Sequence, residues 1–213
     1  MAGLPGLSRG KILRRGSRTG LSGFWSALNL VVFMPPKTEL RRLIGAQLAR
    51  MSPAAVDAAS ESIRQSIRTL PRWQDAQVVA AYAALPGEPD LRPLDWAAKR
   101  TVLLPRVDGK DLVFHAVSEA SQLRSGAFGV MEPDPAKCPA YDPREAEMIF
   151  VPGLAFTADG QRLGRGRGFY DRLLAELPPH ILRVGVCFPG QIVPDIPDEP
   201  HDEEVDIVLS PPG

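Results

Sequence analysis

The chain has 213 residues, with 25 basic and 25 acidic side chains, a 44% apolar share and 22 prolines. That length allows one ordinary domain with a sizeable core, and a proline share above the usual ~5% implies many stiff loops. Five basic residues and no acid precede Lys37, so the remainder carries an acidic excess of five, which argues against bulk binding of nucleic acid.

Cys138 and Cys187 lie far apart, with no CxxC spacing and no neighbouring histidine. A disulfide framework or zinc site has no support, and the pattern fits reduced thiols in a cytoplasmic protein. The longest apolar run, residues 24–34, is too short to cross a bilayer and contains Asn29, so no membrane partner is expected. Residues 1–33 are basic, rich in glycine and serine, and free of acid. A secretory signal, an organellar transit peptide and an upstream start ahead of Met34 all fit that composition. On each reading the domain occupies residues 34–213, and residues 1–33 form a poorly ordered basic extension.

From Lys37 onward, Leu40, Leu43, Ile44 and Leu48 recur at helical spacing. Ser52 as N-cap and Pro53 at the first helical position predict a second helix running to about Leu70. Residues 77–84 read as a buried strand closed by the turn sequence LPGEPD, and Pro93 opens a short predicted helix through Lys99. A strand over residues 101–105 follows, then a more exposed, alternating one over residues 111–117 that carries His115. Residues 147–152 predict a strand, residues 168–177 a helix, and residues 181–188 and 205–210 the closing strands. Trp73 and Trp96 read as core. Short apolar strands alternating with helices predict a single Rossmann-like, three-layer α/β domain with a largely parallel sheet. Ligands then collect beyond the carboxyl ends of the strands, where LPGEPD and the glycine-rich loop both fall.

In that loop Gly164, Gly166 and Gly168 alternate with Arg165 and Arg167, and a predicted helix follows at once. Successive backbone N–H groups can point into one concavity, the helix amino end adds positive potential, and guanidinium forks match phosphate oxygens. A polyphosphate cradle follows. The pattern is neither a P-loop, which needs GxxxxGK followed by Ser or Thr, nor a dinucleotide fingerprint, because residues 153–163 separate strand from glycines. A flexible surface loop is the bland alternative. Asp171, one turn into the helix, favours the cradle, since a carboxylate beside phosphates suits Mg2+.

The run VPGLAFTADGQRLGRGRGFYDRLL, together with LPGEPD, GVMEP, the pair Lys37 and Arg41, and the closing HDEEVD, resembles the 5-formyltetrahydrofolate cyclo-ligase family in content and order. The resemblance covers the chain from about Lys37 to Ser210, departing from the commoner form at Arg165 and Phe169. It implies conversion of 5-formyltetrahydrofolate and ATP to 5,10-methenyltetrahydrofolate, ADP and phosphate through a phosphorylated formyl group. By the same resemblance, Lys37, Thr38, Glu39, Leu40 and Arg41 bind ATP, as do Arg162, Leu163, Gly164, Arg165, Gly166, Arg167, Gly168, Phe169 and Tyr170. Ala83, Glu88 and the segment Arg165, Gly166, Arg167, Gly168 and Phe169 bind the folate, with Glu88 on the pterin donors. Arg165, Arg167 and Tyr170 are the implied catalytic groups, and Asp171 and Asp202 the Mg2+ carboxylates. Glu132 supports the pocket, and His201 orients Asp202 or has no role. The expected partners are these small molecules alone, bound by a monomer. Two rivals stand beside this reading. One is a homologue that binds nucleotide or RNA without folate turnover; the other is an ATP-dependent enzyme on the same scaffold with a different pterin or amide substrate.

Overall fold

The computed structural model describes residues 11–14, 35–92 and 100–211. Its strands are β1 (Lys11–Arg14), β2 (Val78–Ala80), β3 (Thr101–Asp108), β4 (Asp111–Val117), β5 (Leu123–Ser125), β6 (Met131–Pro133), β7 (Met148–Pro152), β8 (Ala155–Phe156), β9 (Arg162–Leu163), β10 (Leu182–Val186) and β11 (Ile207–Ser210). The α-helices are α1 (Lys37–Leu48), α2 (Pro53–Arg68), α3 (Pro71–Asp75) and α4 (Phe169–Glu176). The main sheet has the order β1-β11-β10-β7-β2-β3-β4. From β11 to β3 the strands run parallel, and β1 and β4 close the two edges antiparallel.

Strand alternation sends neighbouring side chains to opposite faces, and both faces are covered. Val79, Leu104, Phe150 and Val186 pack with Leu40, Ile44 and Leu48 of α1 and with Ile63 and Ile67 of α2. Ala80, Leu103, Ile149 and Val208 face the other way, onto Leu174 of α4 and the adjoining Leu177. These are the three layers that the alternating sequence predicts. Ser52 caps α2, its Oγ accepting from Ala55 N at 3.2 Å, and Pro53 occupies the first turn. Among the described residues no helix is long and apolar enough to cross a membrane.

Two local expectations differ from the structure, and one short helix had not been expected. The first buried strand ends at Ala80 rather than Ala84, because Ala81 makes the last ladder bond, to Leu103 O at 2.8 Å, before the chain turns out to line a cavity. His115 is only 4% exposed, since its strand is covered by residues 138–141 and its Nδ1 lies 3.1 Å from Cys138 O. The short α3 has no sequence pattern of its own. It holds Trp73, a core residue as predicted, against Phe150 with ring centroids 5.8 Å apart. The predicted helix over residues 93–99, with Trp96, lies outside the described residues. So does the extension 1–33, apart from Lys11–Arg14, whose backbone runs antiparallel along β11.

The β8–β9 hairpin carries the chain into the glycine loop, and Gly160 pins its turn. Gly160 has φ +105°, and a Cβ there would stand 2.2 Å from Val205 O. Its own carbonyl accepts from Val205 N at 2.9 Å, so neither backbone can retreat. Gly160→Ala is therefore expected to lower unfolding free energy by about 3 kcal/mol. Gly109→Ala, at φ +59° with nothing near its Cβ, should cost only about 1 kcal/mol. Urea unfolding of the two variants measures the contrast, and equal losses would remove the contact from the account.

Candidate active site

A cavity of about 340 Å³ opens where the parallel strands end. Tyr82 and Ala83 just past β2, Val107 on β3, and Pro152 and Gly153 at the end of β7 form its floor. The glycine loop and the first turn of α4 form its other wall, from Gly164 to Asp171. LPGEPD and the glycine loop thus meet at one edge of the sheet, as read from the sequence.

Glu88 is a buried carboxyl group of this cavity, 5% exposed. The loop that presents it turns at Gly87, φ +83°, and closes through Glu88 N donating to Leu85 O at 3.0 Å. Glu88 Oε2 accepts from Leu85 N at 3.0 Å and Oε1 from Arg165 Nε at 2.8 Å. Burial raises the pKa of this carboxyl, while the Arg165 guanidinium pulls the other way. Tyr82 is fully engaged below it, donating from its hydroxyl to Pro89 O at 2.7 Å.

On the opposite wall Arg162 and Asp171 form an ion pair that ties β9 to the first turn of α4. Arg162 also donates to Pro152 O at 3.4 Å, and its Nε–H has no partner among the described residues. An orphaned guanidinium donor in the wall is what an anion-binding cavity supplies. Gly166 and Gly168 have φ +91° and +67°, so the loop's backbone adopts the left-handed turns that its glycines permit. Burial pushes the Tyr170 phenol well up, which keeps its proton on and makes it a hydrogen-bond donor near neutral pH. Arg167 lies with its guanidinium carbon 4.6 Å from the centroid of the Phe128 ring.

Helix α1 contributes two cations one turn apart. Arg41 Nε donates to Gly164 O at 2.9 Å, so the helix grips the glycine loop directly. Lys37 is 8% exposed and sits between Asp202 and Glu199, the latter at 2.8 Å. Burial alone would lower its pKa, but the bonds to these two carboxylates hold it above the ordinary value. His201 is exposed and lies 3.5 Å from Glu199. Glu199, His201 and Asp202 form one cluster of ligand atoms within 4.8 Å.

The predicted residues divide accordingly. Ala83, Glu88, Arg162, Gly164, Arg165, Arg167, Gly168, Phe169, Tyr170 and Asp171 line one cavity. Lys37, Arg41 and Asp202 stand apart from that lining; Arg41 touches it through Gly164 O, while Lys37 pairs with Asp202. Thr38 is exposed, Glu39 pairs with Arg42 at 2.6 Å, and the side chains of Leu40 and Leu163 point into the core. Glu132 is buried at the cavity and accepts from Val107 N at 3.3 Å. Phe128 was not read from the sequence as a site residue. It lines the cavity at φ +58°, 48% exposed, with Phe169 6.4 Å away. The flanking glycines in Gly126-Ala-Phe-Gly129 are the only sequence signal of that turn. Glu199 was missed because an acidic run reads as a solvated loop.

The model of the 5-formyltetrahydrofolate cyclo-ligase family matches residues 34–211. A probable 5-formyltetrahydrofolate cyclo-ligase of Schizosaccharomyces pombe is 27% identical over 194 residues, covering 82% of this chain and 95% of that one. The solved structure of Aquifex aeolicus 5,10-methenyltetrahydrofolate synthetase superposes with a TM-score of 0.74 at 33% identity, over 82% of this chain and 89% of its own. A synthetase of the same kind from Mycoplasma pneumoniae, at 19% identity and a TM-score of 0.66, shares the fold. With its family model matched over most of its length, the chain belongs to the 5-formyltetrahydrofolate cyclo-ligase family.

Proposed function

We propose that this protein catalyses the ATP-dependent cyclisation of 5-formyltetrahydrofolate to 5,10-methenyltetrahydrofolate, releasing ADP and phosphate. The observation that carries the proposal is one cavity walled by a buried carboxylate, Glu88, and by a glycine–arginine loop opening a helix. A site for polyphosphate alone has no use for a buried carboxylate, whereas a pterin edge offers amino and ring N–H donors to one. That favours folate over the nucleotide-only and other-amide readings.

A formamide carbonyl is a poor electrophile, and hydroxide is a bad leaving group. Transfer of the γ-phosphoryl group to the formyl oxygen breaks the bond to the β-phosphate and makes a leaving group. The folate N10 lone pair then attacks the formyl carbon, the carbon–oxygen bond breaks, phosphate departs and the N10 proton passes to solvent. Alignment and charge stabilisation are the protein's tasks in such chemistry. Arg165, Arg167 and Tyr170 are assigned to the transferring phosphoryl oxygens, as two cations and one neutral donor. Lys37 and Arg41 hold the nucleotide. Asp171 and Asp202 are assigned to Mg2+, and their carboxylate oxygens are the hard donors that this ion takes beside phosphate. When bound, Mg2+ neutralises charge on the β- and γ-phosphates. Residues 34–213 carry the activity as a monomer, in a reducing, cytoplasmic setting that fits two buried free thiols, one of them pushed up to about 12 by burial at Cys187.

Mixing protein, Mg-ATP and 5-formyltetrahydrofolate should produce methenyltetrahydrofolate, followed by its near-ultraviolet absorbance; absence of ATP-dependent product would sink the proposal. Asp171→Ala should lower kcat about 100-fold or more, and near-normal turnover at saturating Mg-ATP would remove it from the metal site. Glu88→Gln keeps the shape but loses the charge, so KM for folate should rise about tenfold with KM for ATP within about twofold. An unchanged folate KM would take Glu88 out of the pterin site.

A further inference from the structure

Glu132, on β6, is a second buried carboxyl group of the cavity, 6% exposed, and neither phosphate, metal nor pterin edge is assigned to it. It reaches the lining beside Val107 of β3, whereas Glu88 enters from the loop after β2. Its one hydrogen bond among the described residues comes from Val107 N at 3.3 Å. The cations around it are engaged elsewhere. Arg106 on β3 pairs with Asp108 at 3.7 Å, and Arg124 on the paired strand β5 with Asp134 at 3.8 Å. In the cavity wall Arg162 is held by Asp171 and Arg165 by Glu88, while Arg167 rests on Phe128. A carboxylate has about four lone-pair sites, so most of the accepting capacity of Glu132 is open. Its seat is also specific. A Cβ at Gly126 would stand 2.4 Å from the Glu132 carboxyl carbon and from its Oε2, so glycine alone lets the backbone pass against this group.

We infer that Glu132 is a catalytic base that takes the proton of the folate N10 as the ring closes. The inference rests on the proposed folate reaction and adds the residue that completes its second step. 5-Formyltetrahydrofolate carries N–H donors at two separated places, the pyrimidine edge of the pterin and N10. Two buried carboxyls that enter one cavity from different strands match that division. With Glu88 on the pyrimidine edge, N10–H is the donor left for Glu132. Attack of the N10 lone pair on the phosphorylated formyl carbon forms the carbon–nitrogen bond and leaves N10 positively charged, still bearing its proton. In that state N10 is itself a good leaving group and the centre reverts. Transfer of the proton to a Glu132 carboxylate oxygen returns an electron pair to N10. That pair then expels phosphate as the carbon–oxygen bond breaks, and Glu132 passes the proton on to solvent.

A single-turnover experiment with Mg-ATP and 5-formyltetrahydrofolate separates the two steps, with ADP followed by quenched flow and methenyltetrahydrofolate by absorbance. Glu132→Gln keeps the shape and the bond from Val107 N but cannot accept a proton. Its ADP phase should stay within about threefold of the unaltered chain while ring closure slows about 100-fold or more, the usual worth of a positioned base. Ring closure at the unaltered rate overturns the inference, and so does an equal slowing of both phases, which is what a merely structural role gives. If Glu132→Gln fails to fold, Glu132→Asp decides the matter, since it keeps the carboxylate but withdraws it by one methylene. Ring closure should then slow about tenfold with the ADP phase kept, and unchanged closure or an equal loss in both phases overturns the inference. An unaltered chain that makes no ATP-dependent product sinks the proposed activity and this inference together. A productive chain whose Gln variant closes the ring at full rate sinks the inference alone.

Discussion

The Glu88–Arg165 ion pair is the contact on which the site depends. A carboxylate buried this deeply costs several kcal/mol unless a counter-charge and further donors satisfy it. Here the guanidinium at 2.8 Å and the Leu85 backbone N–H at 3.0 Å supply both. The pair joins two loops 77 residues apart in the chain and closes the wall of the cavity. A pterin edge and a guanidinium present similar forks of N–H donors. On the proposed reading the same carboxylate serves Arg165 and the pterin in turn, and the arginine so released belongs to the glycine loop assigned to phosphate.

Parallel strands make that meeting of loops unavoidable. Because β2, β3 and β7 all run the same way, their carboxyl ends fall on one edge, and the loops leaving them share one volume. The antiparallel β4 returns from the far end of β3 and places Leu112 in the same lining. Fold and site are thus linked by strand direction alone. A chain with an acidic excess in its body still gathers three arginines, Arg162, Arg165 and Arg167, into one cavity lining, because they are placed locally rather than by net charge.

Much of this was legible in the residues, for physical reasons that can be named. Helix α2 was fixed by a serine cap and a first-turn proline, both local signals that tertiary contacts do not override. The covered strands were legible because apolar runs buried on both faces have few other uses. The β2 strand was read too long since the apolar residues of 77–84 belong partly to the ladder and partly to the cavity floor, and composition does not separate the two burials. His115 was misplaced because its cover comes from residues 138–141, a segment with no regular pattern. Among site residues, those spaced locally in the glycine loop could be read as a cradle. Phe128 reaches the cavity through a turn signalled only by its flanking glycines, and Glu199, three residues before Asp202, was hidden in an acidic run that reads as a solvated loop.

The internal pairing of the cations bears on which of them can do catalytic work. Arg162 is committed to Asp171 and Arg165 to Glu88, while Lys37 is held by Asp202 and Glu199. Each must weaken an existing bond before it can serve a phosphate fully, and that reorganisation subtracts from the stabilisation it offers. Arg167 differs. It has no carboxylate partner among the described residues and rests on the Phe128 face instead, 4.6 Å from its centroid. A cation–π contact at an exposed ring is worth about 0.5–1 kcal/mol, less than a buried ion pair. On the proposed mechanism, Arg167 is thus the cation that can follow the moving phosphoryl group at least cost. Arg162, paired with Asp171 in the wall, is better suited to holding the cavity's shape while it does so.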